Sequence, residues 1–318
     1  MVLVAGKMYR PTDVVSGGSG IIFVVEQFNH RVSKWIYTPN QFSFTLDGSW
    51  GSNGDGTSGE GAPVTSTTDN ALYRPTGIAF DSTNSLLYVT DTFHNRVRVI
   101  DSTNGTFTTS IGTGGFGTAD FYRPAGIAIE TVTDAVVVIA DELNNRAVRY
   151  ATNSTTLVTP TVLPDPSASA ALSFVRPHGV VYDVTATEFN IGDSPRSVIS
   201  SYNVAGDFQG QYGTPGSTAN NVNLFFPGSG EGLLVGTTTT VFADTRNNAL
   251  KTMNDETIAL TTGTTEGTGD GQLYYPESAS AFSDTANYVL AANTLNNRVE
   301  AYSSSAAVLS FQANFGSP

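Results

Sequence analysis

Three histidines and no cysteine limit what this chain can do with metals and protons. His178 stands out by its setting. It follows Arg176-Pro177, and similar proline segments occur at five other places, so the residue after each proline forms a series: Thr12, Thr76, Ala125, His178, Gly228 and Glu277. If these positions converge, an imidazole and a carboxylate flank a gap at Gly228-Ser229-Gly230. Such a pair could hold a polar ligand, share a metal ion, or pass a proton as general acid and base. Thr12, Thr76, His178, Ser229 and Glu277 are therefore the candidate ligand-binding residues, and His178 with Glu277 the candidate catalytic pair. The competing reading is a set of hydrogen bonds that merely plugs a channel.

A second constellation lies in "DGSWGSNGDGTSGEG", where Asn53, Asp55, Thr57 and Glu60 offer oxygen donors at short alternating spacing. Hard cations such as Ca2+ take ligands of this kind, although the glutamate that completes a helix-loop-helix calcium loop is missing. Gly-Asp-Gly is equally ordinary turn chemistry. Asn53, Asp55 and Glu60 stand as weak metal candidates, with a divalent cation such as Ca2+ as the cofactor they would imply.

The elements that must position these residues repeat. Aromatic–Arg–Pro signals open units at "YRPTDVV", "YRPTGIAF", "YRPAGIAI" and "VRPHGVVY", with weaker copies at "FFPGSGEG" and "YYPESASAF". The units start near residues 9, 73, 122, 175, 225 and 274, and a period near 50 residues belongs to propellers. In the second unit, apolar runs over Gly77–Asp81, Leu86–Asp91, Arg96–Asp101 and Phe107–Ile111 predict four antiparallel strands, which make one blade. The whole chain, 1–318, thus reads as one all-β domain, a six-bladed β-propeller of four-stranded antiparallel blades. "MVLVAG" reads as one strand too many, and Val2–Ala5 is expected to pair with the last unit near Val308–Phe315.

One knot of residues recurs with the strands: "TDTFHNRVRV" returns as "ADELNNRAVRY", "ADTRNNALKTM" and "AANTLNNRVEAY". Asp91 at the end of one strand and Arg96 at the start of the next can form a charge-assisted pair across the turn. Asn between them tolerates left-handed backbone. A cluster that recurs is architecture, so Asp91, Asn95 and Arg96, like Asp141 and Arg146, are read as hardware. His94 and His30 replace asparagines of this knot and lie on the same face.

The Pro-x-Gly entries (Pro75-Thr76-Gly77, Pro124-Ala125-Gly126, Pro177-His178-Gly179), the strand-end acids and the Asn-Arg turns together resemble the NHL-repeat family of β-propellers, from Tyr9 to Phe315. The resemblance implies loops converging on a channel mouth. Peptide-amidating lyases of this kind place several histidines after the entry prolines to bind zinc, whereas here His178 alone fits. Gluconolactonase-like relatives hold a divalent ion with Glu, Asn and Asp, and only Glu277 is offered. A metal-assisted lyase or hydrolase at the mouth is thus the alternative. The leading expectation is a non-catalytic propeller presenting loops to a protein, peptide or glycan.

Charge narrows the partners. With 15 Lys+Arg against 28 Asp+Glu the net charge is -13, which opposes nucleic acid and anionic lipid. Ten arginines sit on repeated loop positions, yet acids recur beside them, so local pairing is the expected account. No stretch has the length of a membrane span, and "MVLVAGKMYR" is too short and charged too late for a secretory leader. Other domains of a larger chain, and an extracellular or particle-surface setting, are weaker expectations.

Overall fold

The structure is a computed structural model that describes residues 6–39, 43–51, 71–130, 132–133, 135–153, 156–165, 173–213, 239–254, 257–260, 265–283, 287–305 and 308–316. Its strands follow the sequence units. The first blade holds β1 (Pro11–Gly18), β2 (Ile21–Glu26), β3 (Arg31–Thr38) and β4 (Ser43–Trp50). The second holds β5 (Ile78–Asp81), β6 (Leu86–Asp91), β7 (Arg96–Asp101) and β8 (Phe107–Ile111). The third holds β9 (Pro124–Ile129), β10 (Val136–Asp141), β11 (Arg146–Thr152) and β12 (Leu157–Val162). The fourth holds β13 (Pro177–Asp183), β14 (Glu188–Asp193), β15 (Val198–Asn203) and β16 (Phe208–Tyr212). Next come β17 (Thr239–Asp244), β18 (Ala249–Asn254) and β19 (Thr257–Leu260), and a short parallel pair, β20 (Thr265–Glu266) with β21 (Gln272–Leu273). The last blade holds β22 (Pro276–Ser283), β23 (Asn287–Asn293), β24 (Arg298–Ser305) and β25 (Val308–Phe315).

The expectation of six four-stranded blades is corrected. Among the described residues five sheets have four strands, and β17–β19 form a sheet of three between the fourth and last blades. The unit expected to start near residue 225 has the weakest entry signal and reads "FFPGSGEGLLVG", rich in glycine; its proposed first strand and Ser229 lie outside the described residues. Residues 1–5 do too, so the pairing expected of Val2–Ala5 is not described; β25 itself completes the last blade, pairing with β24.

Burial explains the patterning. Inner strands such as β6 and β10 are buried along their whole length because neighbouring blades cover both faces, so they read as continuous apolar runs. Outer strands such as β4 and β8 have one wet face and alternate. The core is correspondingly a set of layers between blades rather than one centre. Tyr88, Ile127, Ile139 and Tyr150 fill the layer between the second and third blades. Trp35, Tyr37, Phe282, Tyr288 and Phe315 fill the one where the chain ends meet, with Phe44 stacked on Phe315 at 4.2 Å between ring centres. The Met8 N–H donates to the Gly316 carbonyl at 2.9 Å, which ties the two ends of the ring.

The entry glycines have a steric reason. A Cβ on Gly77 would lie 2.5 Å from the Ala125 carbonyl oxygen, and one on Gly126 would lie 2.4 Å from that of His178. Innermost strands therefore approach backbone to backbone around the channel, a contact only glycine permits. Where the same position carries other residues, they bond to one another: Ser278 Oγ donates to Asp13 Oδ1 at 2.5 Å.

Candidate functional site

The recurring knot turns out to clasp blade to blade. Asn95, Asn145, Asn248 and Asn297 each have left-handed backbone after a one-turn 3-10 helix. Three of their side chains accept a backbone N–H from the entry segment of the following sheet: Asn95 from Arg123 at 2.8 Å, Asn248 from Tyr275 at 2.7 Å and Asn297 from Arg10 at 2.8 Å. The bond that Asn297 accepts joins the last blade to the first. In the first blade His30 takes this place, its Nδ1 accepting the Arg74 N–H at 3.1 Å. That role needs a neutral ring, and burial, followed by the nearby Arg74 charge, lowers the His30 pKa to about 4.

The acids hold the other half of the clasp. Asp91 accepts the Tyr73 N–H at 2.6 Å and Arg96 Nε at 2.8 Å, and Asp141 likewise takes Tyr122 and Arg146. His94 lies against Asp91 at 2.8 Å, as Asn144 does against Asp141 at 2.7 Å, so His94 belongs to this hardware. Two departures from the pattern are compensated. In β18, where Ala249 replaces the arginine, Lys251 reaches Asp244 instead. In the last blade Asn293 replaces the acid, and Glu300 takes Arg298 at 2.5 Å.

The same clasp sets the channel mouth. It holds Arg10, Arg74 and Arg123 at φ of 54°, 49° and 55°, a region costing a non-glycine residue about 1–2 kcal/mol. Their side chains line a cavity of about 330 Å3 to which all five blades and the three-stranded sheet contribute. Thr76, His178 and Glu277 line it; Thr12 does not, being fully buried. Thr76 is itself engaged with Thr92, hydroxyl to hydroxyl at 2.7 Å. Asn53, Asp55 and Glu60 lie outside the described residues. Among the described residues no three His, Asp or Glu side chains gather as metal ligands do.

His178 and Glu277 share the mouth but answer to different partners. Glu277 pairs with Arg10 at 3.2 Å, while His178 Nδ1 lies 3.8 Å from Glu142, which also binds Arg176. Burial opposes the charged form of His178, but the facing carboxylates of Glu142 and Glu277 outweigh it and raise its pKa. For Glu142 burial is likewise outweighed, by His178 and Arg176, and its pKa falls to about 2. Burial dominates at Glu277 and raises its pKa against the pull of Arg10 and His178.

Sequence reasoning missed Glu142. The signal was there: it stands where the other turns carry Thr92, Thr245 and Thr294. Local pairing of the loop arginines needs correction as well. Arg31, Arg96 and Arg146 do pair with their strand-end acids. Arg74 and Arg123 instead lie on aromatic rings: Arg74 at 4.9 Å from Phe28 and 5.1 Å from Phe93, Arg123 at 4.4 Å from Phe93.

Comparison with known proteins supports the architecture. Residues 66–190, less than half of the chain, match a family described as "6-bladed beta-propeller". This replaces the NHL-repeat assignment, which that match does not support. No curated protein matches the sequence. Among solved structures, a chain of the "Nidogen/Laminin Complex" superposes with TM-score 0.62 at 16% identity, covering 93% of this chain and 92% of that one. A structure titled "Streptogramin B lyase" gives 0.59 at 9%, covering 99% and 85%. A protein of unknown function from Bacteroides thetaiotaomicron gives 0.62 at 13%, covering 95% and 71%. At these identities the likeness is one of fold: a β-propeller, an architecture that also occurs in a protein–protein complex. Among the described residues no helix is long and apolar enough to cross a membrane.

Proposed function

We propose that this chain is a non-catalytic binding propeller, which receives a segment of a protein, peptide or glycan at the channel mouth. The observation that carries this reading is the cavity of about 330 Å3, walled by rigid blades and lined by polar groups from every side. Loops converging on such a support are where propellers can vary recognition without disturbing the core. The fold of the chain in the nidogen–laminin complex supports the same reading, as well as an extracellular or particle-surface setting. Catalysis by His178 and Glu277 is disfavoured because both are committed to ion pairing, with Glu142 and Arg10.

The test is a binding screen on peptide and glycan arrays with the parent protein and with Gln27→Trp. Gln27 lines the mouth, and its side chain makes no hydrogen bond among the described residues, so tryptophan there fills the cavity without breaking a pair. Ligands of the parent should be lost by the variant. Ligands that all survive the substitution would move recognition away from the mouth and overturn the proposal. Turnover of an array compound that is lost in His178→Ala would overturn the non-catalytic part.

A further inference from the structure

Among the described residues five arginines line the mouth, Arg10, Arg74, Arg123, Arg176 and Arg246, together with two carboxylates, Glu142 and Glu277. Those carboxylates are taken by Arg176 and Arg10. Arg74 and Arg123 have no carboxylate in pairing range among the described residues, and lie instead within 5.1 Å of the ring centres of Phe28 and Phe93. Arg123 Nε is buried without a hydrogen-bond partner among the described residues, as is Arg10 Nε. Buried donors of this kind are rare in folded proteins, and each calls for an acceptor.

We infer that the mouth binds the carboxylate of an acidic peptide segment, received by the guanidiniums of Arg74 and Arg123. This rests on the binding-propeller reading and names its ligand chemistry. A guanidinium that rests on a ring rather than on a carboxylate still has charge to offer, and its planar fork matches a carboxylate. Three features favour peptide over other anions. Phe28 and Phe93 each already carry two guanidiniums, Arg10 and Arg74 on one and Arg74 and Arg123 on the other, so neither ring is free to stack on a sugar. The protein as a whole carries -13, so a polyanion extending beyond the mouth meets repulsion, while one confined carboxylate does not. Tyr122, next to Arg123 in the chain, is 43% exposed and packs edge to face on Phe116, 78% exposed; this exposed apolar pair lies outside the cavity lining and suits the residues flanking an acidic side chain.

The experiment is an NMR titration that follows arginine Nε–H signals of the intact chain. The probes are acetyl-Leu-Glu-Leu-amide, its Gln counterpart, glucuronate and inorganic phosphate. The Glu peptide should shift Arg74 and Arg123 saturably and bind at least about tenfold tighter than the Gln peptide, since the neutral amide loses the charge-assisted bonds. Arg74→Gln with Arg123→Gln should abolish saturable binding of the Glu peptide, read from the remaining arginine Nε–H signals of the mouth and from calorimetry; if that double variant fails to fold, each single substitution should weaken binding several-fold. Equal binding of Glu and Gln peptides, or no saturable shift up to about 10 mM, a Kd corresponding to roughly −3 kcal/mol, would overturn the inference. Tighter binding of glucuronate or phosphate would overturn the peptide assignment. Neutral array ligands that Gln27→Trp abolishes would leave the binding-propeller reading standing while this inference falls.

Discussion

Asp13 offers a quantitative test of how the ring is closed. It stands on β1, 2% exposed, where the first blade meets the last and the second. One carboxylate oxygen accepts the Val14 N–H at 2.9 Å and the Ser278 hydroxyl, and the other accepts the Ile78 N–H at 2.9 Å. Burial outweighs these bonds, and with Glu277 nearby the pKa rises from 3.8 to about 7. The folded protein therefore binds this proton more tightly than the unfolded chain does. The resulting stabilisation is fully present below the unfolded value and is lost as pH rises through about 7. At about 1.4 kcal/mol per pKa unit, the loss between pH 4 and pH 7 amounts to about 4 kcal/mol. Urea unfolding of the parent and of Asp13→Asn, measured from pH 4 to pH 8, isolates the effect, because the other carboxylates raised by burial, Asp141, Asp193 and Glu300, are common to both. Glu277 is coupled to Asp13 and changes the slope modestly. The stability of the parent relative to the variant should fall by several kcal/mol over this range. A flat difference would refute the reasoning.

Three further predictions concern the clasp and the channel. Arg96→Ala should cost about 1–3 kcal/mol in chemical denaturation, because it removes the cationic partner of fully buried Asp91, and should leave ligand binding intact. His30→Asn should unfold within about 0.5 kcal/mol of the parent, since asparagine fills the corresponding position in other turns, whereas His30→Ala should lose about 1 kcal/mol with the bond to Arg74. Gly126→Ala should lower the melting temperature by several degrees, because its Cβ would meet the His178 carbonyl oxygen at 2.4 Å; an unchanged melt would mean that the inner strands can spread.

The sequence made the repeating parts legible because each repeat solves the same steric and electrostatic problem. Pro-x-Gly marks the backbone contact at Gly77 and Gly126, and the acid–arginine spacing marks the pair of Asp91 with Arg96. What crossed between repeats was hidden. The side chain of Asn95 reads as a local turn residue, yet its acceptor serves Arg123 in the next blade, 28 positions away. Similarly, the arginines of the entry signal read as partners of nearby acids, because nothing in a linear spacing tells that Phe28 and Phe93 from neighbouring turns lie beneath them. Thr12 looked equivalent to Thr76 by position, but only Thr76 reaches the cavity. The unit near residue 225 was counted from one proline and two phenylalanines, too little to specify a four-stranded sheet. Glu142 shows that the useful signal for function was the departure from the repeat.

The most direct test of the account is a crystal structure with the tightest array ligand bound. Density for the ligand should fill the mouth, with an acidic side chain in hydrogen-bonding contact with Arg74 and Arg123 and the clasp at Asn95 and Asn297 unchanged. A ligand seated on the outer edge strands, with the mouth left as it is, would contradict it.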